Sequence, residues 1–201
     1  MLTSLVGSEM CIRDSGRPSP THRLPPWTRT ARSCGSVSLM PSFDNALLAV
    51  ALGANRPSAV GEPRDTLSAV RPLLEVELTE WAGQPLSFRW SALKETAPVG
   101  PVDQPHYLNG VVLVREIAGQ PSEPGALQLL DRLLRLERRF GRERRREQRW
   151  GPRTLDLDLL FWGELRLDHQ RLVLPHPRMH LRTFVLEPLL QAMHAAHPPC
   201  W

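Results

Sequence analysis

The sequence predicts an α+β fold whose elements run β-α-β-β-α-β and end in a C-terminal extension. Three observations predict it. Two long stretches, one opening at Glu62 and one at Ser122, carry apolar residues at helical spacing. Short apolar or alternating runs precede, separate and follow them, each bounded by Gly, Pro or Asn. Two such runs fall between the helices, which gives the order of a ferredoxin-like sandwich.

Leu47 to Leu52 is an apolar run stopped by Gly53-Ala54-Asn55, and reads as a buried strand ending at a turn. Glu62-Pro63-Arg64-Asp65 puts a proline and acidic residues in a first helical turn, and Leu67, Val70, Leu74 and Leu78 follow on one face. Leu86 to Leu93 alternates weakly through Phe88, Trp90 and Ala92, a second strand. Glu95 to Asn109 holds Pro98, Pro101, Pro105 and Gly100, so it reads as an ordered loop feeding the strand Val111 to Val114. Ser122 caps a helix that reaches Phe140 and stops at Gly141, with the stripe Ala126, Leu129, Leu130, Leu133, Leu136 and Phe140. Counted at about 100° per residue, Glu137 falls inside that stripe, where a carboxylate is costly unless paired. It is either half of a structural ion pair with an arginine of the next loop or a binding group. Gly163-Glu164 marks a turn, Leu172 to Leu174 a short return, and Val185 to Met193 a last helix. His176, between two prolines, is expected on an exposed loop.

Composition narrows the function. Of the net charge of +4, residues 1–39 carry +3, five arginines against Glu9 and Asp14; the remainder has 20 basic and 19 acidic residues. Basicity therefore belongs to the tail and one loop, which argues against a nucleic-acid surface. No apolar run approaches the ~20 residues of a membrane span. Cys11, Cys34 and Cys200 have no paired spacing, so neither disulfides nor zinc are indicated, and a reducing cytoplasm is expected. Residues 1–42 lack any sustained period and read as a disordered tail or a sequence-assembly artefact, Leu5 to Ser15 resembling translated sequencing-adapter DNA; the folded domain is expected over 43–201.

The chemistry lies in the string Arg149 to Phe161, RWGPRTLDLDLLF. From Leu155 it alternates, so Asp156 and Asp158 share one strand face while Leu155, Leu157 and Leu159 take the other. Residues two apart on a strand lie about 7 Å apart, a spacing that lets two carboxylates share divalent cations. Arg142, Arg144, Arg145, Arg146, Arg149 and Arg153 crowd the segment just before. Guanidinium forks suit phosphate, and Mg²⁺ is held by one or two carboxylates plus phosphate oxygens, so the stretch reads as a metal–polyphosphate site.

This string resembles the signature of the 6-hydroxymethyl-7,8-dihydropterin pyrophosphokinases; the match extends back to Glu137, and three further blocks match in order: Gly53-Ala54-Asn55, the Thr96–Asn109 loop, and Pro175-His176 with Arg182 and Phe184. The resemblance spans residues 46–201. It implies a diphosphotransferase that moves pyrophosphate from ATP to the hydroxymethyl group of the pterin, using two Mg²⁺. It implies catalytic roles for Arg142, Arg153, Asp156 and Asp158, with both aspartates as metal ligands. Pterin would meet Thr96, Val99, Tyr107, Asn109, Trp150 and Phe184; ATP would meet Glu137, Arg144, Arg153, Leu159, Arg171, His176 and Arg182. The arginine loop would fold down on the loaded site. The partners are then two small molecules, with no nucleic acid or membrane, and the protein a monomer. Ala97 and Pro177 depart from the commoner family residues, and the arginine loop is one residue longer. The competing class, a ferredoxin-like RNA-binding module, needs exposed aromatics on central strands; Leu47–Leu52 and Val111–Val114 have none. An inactive relative is the third reading, against which stand the charged residues retained in all four blocks.

Overall fold

The computed structural model describes residues 47–98, 103–144, 151–194, 199 and 201. The tail expected over 1–42 lies outside the described residues. In chain order the elements are β1 (Leu48–Ala54), α1 (Pro63–Ala82), β2 (Ser87–Trp90), β3 (Lys94–Thr96), β4 (Tyr107–Arg115), α2 (Glu123–Arg139), β5 (Asp156–Trp162), β6 (Leu167–His169), β7 (Leu172–Leu174) and α3 (Thr183–His194).

Strands β1 to β5 form one antiparallel sheet in the order β2-β4-β1-β5, and β3 pairs with β4. Since β2 faces Val112–Arg115 of β4 and β3 faces Tyr107–Asn109, the two are successive pieces of a single edge. The central strand β1 alternates large and small side chains, and that alternation builds two layers. Leu48, Val50 and Leu52 join Leu157 and Leu159 of β5 beneath α1 and α2, where Leu67, Val70, Leu74, Leu78, Ala126, Leu129 and Leu133 complete the main core. Ala49 turns to the other face and packs with Val111, Leu113 and Leu160 beneath Val185, Leu189 and Ala192 of α3.

Local chemistry fixes the helix ends. The Asp65 carboxylate accepts the Glu62 N–H at 3.0 Å, and Gly83 closes α1 in the left-handed region at φ 67°. Ser122 accepts the Gly125 N–H at 3.3 Å at the start of α2.

Three expectations need correction. The turn expected at Gly53-Ala54 is strand, because β4 and β5 pair with β1 on both sides and hold Gly53 extended between Asn109 and Asp156. The loop expected from Glu95 to Asn109 has strands at both ends, Thr96 pairing with Tyr107. Finally, His176 is buried at 1% exposure, its N–H donating to Leu160 O at 2.7 Å.

Candidate active site

Among the described residues, the α3 face of the sheet is only half covered. Beyond Val185 the sheet floor opens into a cleft of about 690 Å³, partly open to solvent, lined by residues that include Ala51, Gly53, Thr96, Gln104, Tyr107, Asn109, Asp156, Asp158, Arg182 and Phe184. Sheet register explains how distant residues meet here. Across the strands run two rows, Asp156–Gly53–Asn109 and Asp158–Ala51–Val111. Between the acids of β5 and the amide of β4, the central strand offers only a hydrogen and a methyl. A Cβ built on Gly53 would stand 3.0 Å from Asn109 Oδ1 and 3.9 Å from Asp156 Cβ. The emptiness of the floor is thus written in Ala49, Ala51 and Gly53 alternating with Leu48, Val50 and Leu52, a signal the sequence carries but which the apolar run hides.

On the acidic side, Asp156 is gripped by Arg142 on one carboxylate oxygen and Arg153 on the other, with Arg144 at 3.8 Å. Burial alone would push the Asp156 carboxyl up, but the Arg142 and Arg153 charges outweigh it and hold the group well below the usual carboxylate range. Arg142 also donates to Glu137 Oε1 at 2.8 Å and Leu155 O at 3.1 Å. Glu137, 1% exposed, further accepts Arg144 at 2.8 and 2.6 Å and the Leu157 N–H at 2.8 Å. The inward carboxylate of α2 is therefore paired as sequence periodicity required, and through Arg142 it stands one residue from Asp156.

Asp158 has a different environment. Its Oδ2 lies 3.8 Å from Arg182 Nη1 and 4.0 Å from His176 Nε2. Burial, then the neighbouring Asp156 charge, push its carboxyl up to about 7. Burial, then Arg182, push the His176 imidazole down to about 4, so His176 is neutral here. Among the described residues no group of three or more acidic, His or Cys side chains could hold a metal by itself. Two carboxylates on one face are the donor set of a hard cation that takes its other oxygens from phosphate and water, so the residues fit Mg²⁺ together with a phosphate substrate.

On the opposite side Asn109 Nδ2 donates to Thr96 Oγ1 at 2.7 Å, which orients the amide over the floor. The Tyr107 hydroxyl sits 3.1 Å from Gly151 O, and the Arg182 guanidinium lies 5.8 Å from the centre of the Phe184 ring. Thr96, Tyr107, Asn109, Phe184, Asp156, Asp158, Arg142, Arg144, Arg153, Glu137, His176 and Arg182 are thus brought together in and around one cleft. Two candidates are not. The Leu159 side chain lies in the core on the far face of β5, and Arg171 pairs with Asp131 of α2, outside the cleft lining. Val99 and Trp150 lie outside the described residues, as do Arg145, Arg146 and Arg149. Gln104 and Asn55 were not foreseen as members of this neighbourhood.

Comparison with known proteins points the same way. The profile of the family 7,8-dihydro-6-hydroxymethylpterin-pyrophosphokinase matches residues 49–194. A 2-amino-4-hydroxy-6-hydroxymethyldihydropteridine pyrophosphokinase of Haemophilus influenzae is 37% identical over 142 residues, 71% of this chain and 78% of the relative. The protein of that name in Pseudomonas aeruginosa is 41% identical over 140 residues, covering 70% of this chain and 76% of its own length. That of Synechocystis sp. is 45% identical over 103 residues, covering 51% and 48%.

Proposed function

The chain belongs to the 7,8-dihydro-6-hydroxymethylpterin-pyrophosphokinase family, and we propose that its half-covered sheet face is where the family's reaction takes place. It is a pyrophosphokinase of folate biosynthesis, with ATP as co-substrate. The hydroxymethyl oxygen of the pterin attacks the β-phosphorus of ATP, the bond from that phosphorus to the α–β bridging oxygen breaks, AMP leaves with that oxygen, and the hydroxyl proton is lost. The observation that carries the site is the pair Asp156 and Asp158 on the cleft floor, with guanidiniums on one side and an oriented amide on the other.

Asp156 and Asp158 would hold two Mg²⁺ together with triphosphate oxygens, an arrangement that neutralises phosphate charge and lowers the cost of the attacking alkoxide when bound. Arg142 and Arg153 would turn from Asp156 toward the triphosphate and stabilise charge as the bridging bond breaks. Transfer of this kind depends on alignment more than on covalent chemistry, so the residues that place the substrates matter as much. Asn109, with donor and acceptor fixed by Thr96, reads the amide-like edge of the pterin, and Tyr107 and Phe184 offer ring faces. Glu137, Arg144, His176 and Arg182 would serve the nucleotide, Glu137 by holding Arg142 and Arg144 rather than by touching ATP. Trp150 and Val99 as pterin contacts, and Leu159 and Arg171 as ATP contacts, stay proposals from resemblance alone.

Taking β3 as a continuation of the β2 edge leaves β1, β2, β4 and β5 with α1 and α2 in ferredoxin-like order, which supports that reading of the fold. No described helix is long and apolar enough to cross a membrane. The reading also takes the protein as a cytoplasmic monomer acting on small molecules only. Its test is AMP release from ATP that requires both the hydroxymethylpterin and Mg²⁺. Release without the pterin, or none at all with both present, would overturn it.

A further inference from the structure

We propose that Asn55 is a positioning residue that locks the segment bearing Arg153 to the loop on the pterin side of the cleft, so that one buried amide sets the spacing between the two substrates; this rests on the pyrophosphokinase reading. Asn55 follows the last residue of β1 and is 1% exposed. Its Oδ1 accepts the Arg153 N–H at 2.7 Å. Its Nδ2 donates to Gln104 Oε1 at 3.1 Å and to Pro105 O at 3.0 Å. The backbone N–H groups of Asn55 and Arg56 both donate to Arg153 O at 3.0 Å, so the Arg153 residue is clasped at its N–H and its C=O.

The orientation of this amide is forced. An N–H on one side requires an acceptor and a carbonyl on the other requires a donor, so oxygen and nitrogen cannot exchange places. A buried asparagine that merely stabilised a turn would bond within its own neighbourhood. Here the partners are 49, 50 and 98 residues away in the chain, and they carry opposite sides of the cleft. Arg153 sends its guanidinium to Asp156, while the Gln104 amide, itself lining the cleft, lies 3.4 Å from the Tyr107 hydroxyl. Displacing either partner by a fraction of an ångström would misalign the phosphate-side charge against the pterin, a kind of error to which transfer rates are steeply sensitive.

Two substitutions separate the halves of the clasp. Asn55→Asp keeps the acceptor for Arg153 N–H and turns an oxygen toward Gln104 Oε1 and Pro105 O, whereas Asn55→Ala removes both links. Steady-state kinetics with varied pterin should give Asn55→Asp a kcat within about threefold of wild type with pterin KM raised about tenfold, and Asn55→Ala a kcat lowered about tenfold or more as well. Amide exchange at Arg153 should accelerate in Asn55→Ala and not in Asn55→Asp. Should the alanine variant not fold, the aspartate variant decides: a raised KM with retained kcat supports the inference. Equal kcat losses in both variants, or no change in either, would overturn it. Wild-type protein that releases no AMP with the pterin would condemn the reaction assigned above, while the exchange measurement, needing no substrate, still tests the clasp.

Discussion

At the scale of single residues, the two aspartates of β5 are chemically unlike although they are two positions apart. Asp156 is held charged by Arg142 and Arg153, whereas Asp158 lies beyond hydrogen-bond distance of Arg182 and His176 and is pushed up to about 7. Asp158 is therefore the carboxylate whose charge most needs a cation. Replacing it with alanine should leave the fold intact and lower turnover by about 10²–10³, a loss of roughly 3–4 kcal/mol of transition-state stabilisation. Steady-state kinetics over a Mg²⁺ titration measure this, and near-wild-type turnover would remove Asp158 from the metal. Glu137→Gln reaches the same site by another route. It removes one buried charge facing two guanidiniums while keeping an oxygen for the Leu157 N–H. Arg142 keeps its acceptor at Oε1 but faces a neutral amide, and Arg144 loses the oxygen at Oε2, so the variant should cost about 3 kcal/mol in urea unfolding, with a smaller fall in turnover. A variant that keeps its stability and loses turnover would place Glu137 in contact with the nucleotide.

At the scale of elements, the central strand does two jobs with its two faces. Its large side chains seal the helix layer, and its small ones leave room for ligand above Ala51 and Gly53. Gly53→Ala would press a methyl to 3.0 Å from Asn109 Oδ1, an oxygen whose amide is tethered to Thr96. Pterin KM is expected to rise about tenfold with little change in unfolding free energy, since the strand conformation itself suits alanine. Unchanged pterin affinity in a titration would mean that the substrate does not use this floor. Much of this architecture was legible beforehand. The stripes of α1 and α2 were, because 3.6-residue periodicity names the buried positions directly: Leu67, Val70, Leu74, Leu78 and the inward Glu137 all lie where the spacing put them. β3 was not, because Lys94-Glu95-Thr96 is a half-exposed edge whose only reason to extend is its pairing with β4. Gly53 was misread for the same cause, as ladders on both sides outweigh the local preference of glycine for a turn.

At the scale of the molecule, the cleft is a place where layers meet, and such meetings have no local signature. His176 illustrates it. Flanked by prolines it reads as a surface residue, yet its loop is folded against β5, so the imidazole is buried beside Arg182 and Asp158. Both titrating groups owe their shifts to the folded state, and the shifts have opposite signs. Asp158, raised to about 7, binds a proton in the folded chain before the unfolded chain does, so acidification through that range stabilises the fold. His176, lowered to about 4, stays neutral while the unfolded imidazole protonates below its ordinary ~6.5, so the same acidification destabilises it. Between about pH 7 and pH 5 the two effects oppose each other. Asp158→Asn removes one side of the balance. Urea unfolding of that variant should then lose more stability between about pH 7 and pH 5 than the wild-type protein does without Mg²⁺. His176→Asn should move the other way and gain stability with acid. A wild-type loss as steep as that of Asp158→Asn would mean that Asp158 is already charged in the free protein, compensated by Arg182 with Arg153 and Arg144 before any metal arrives.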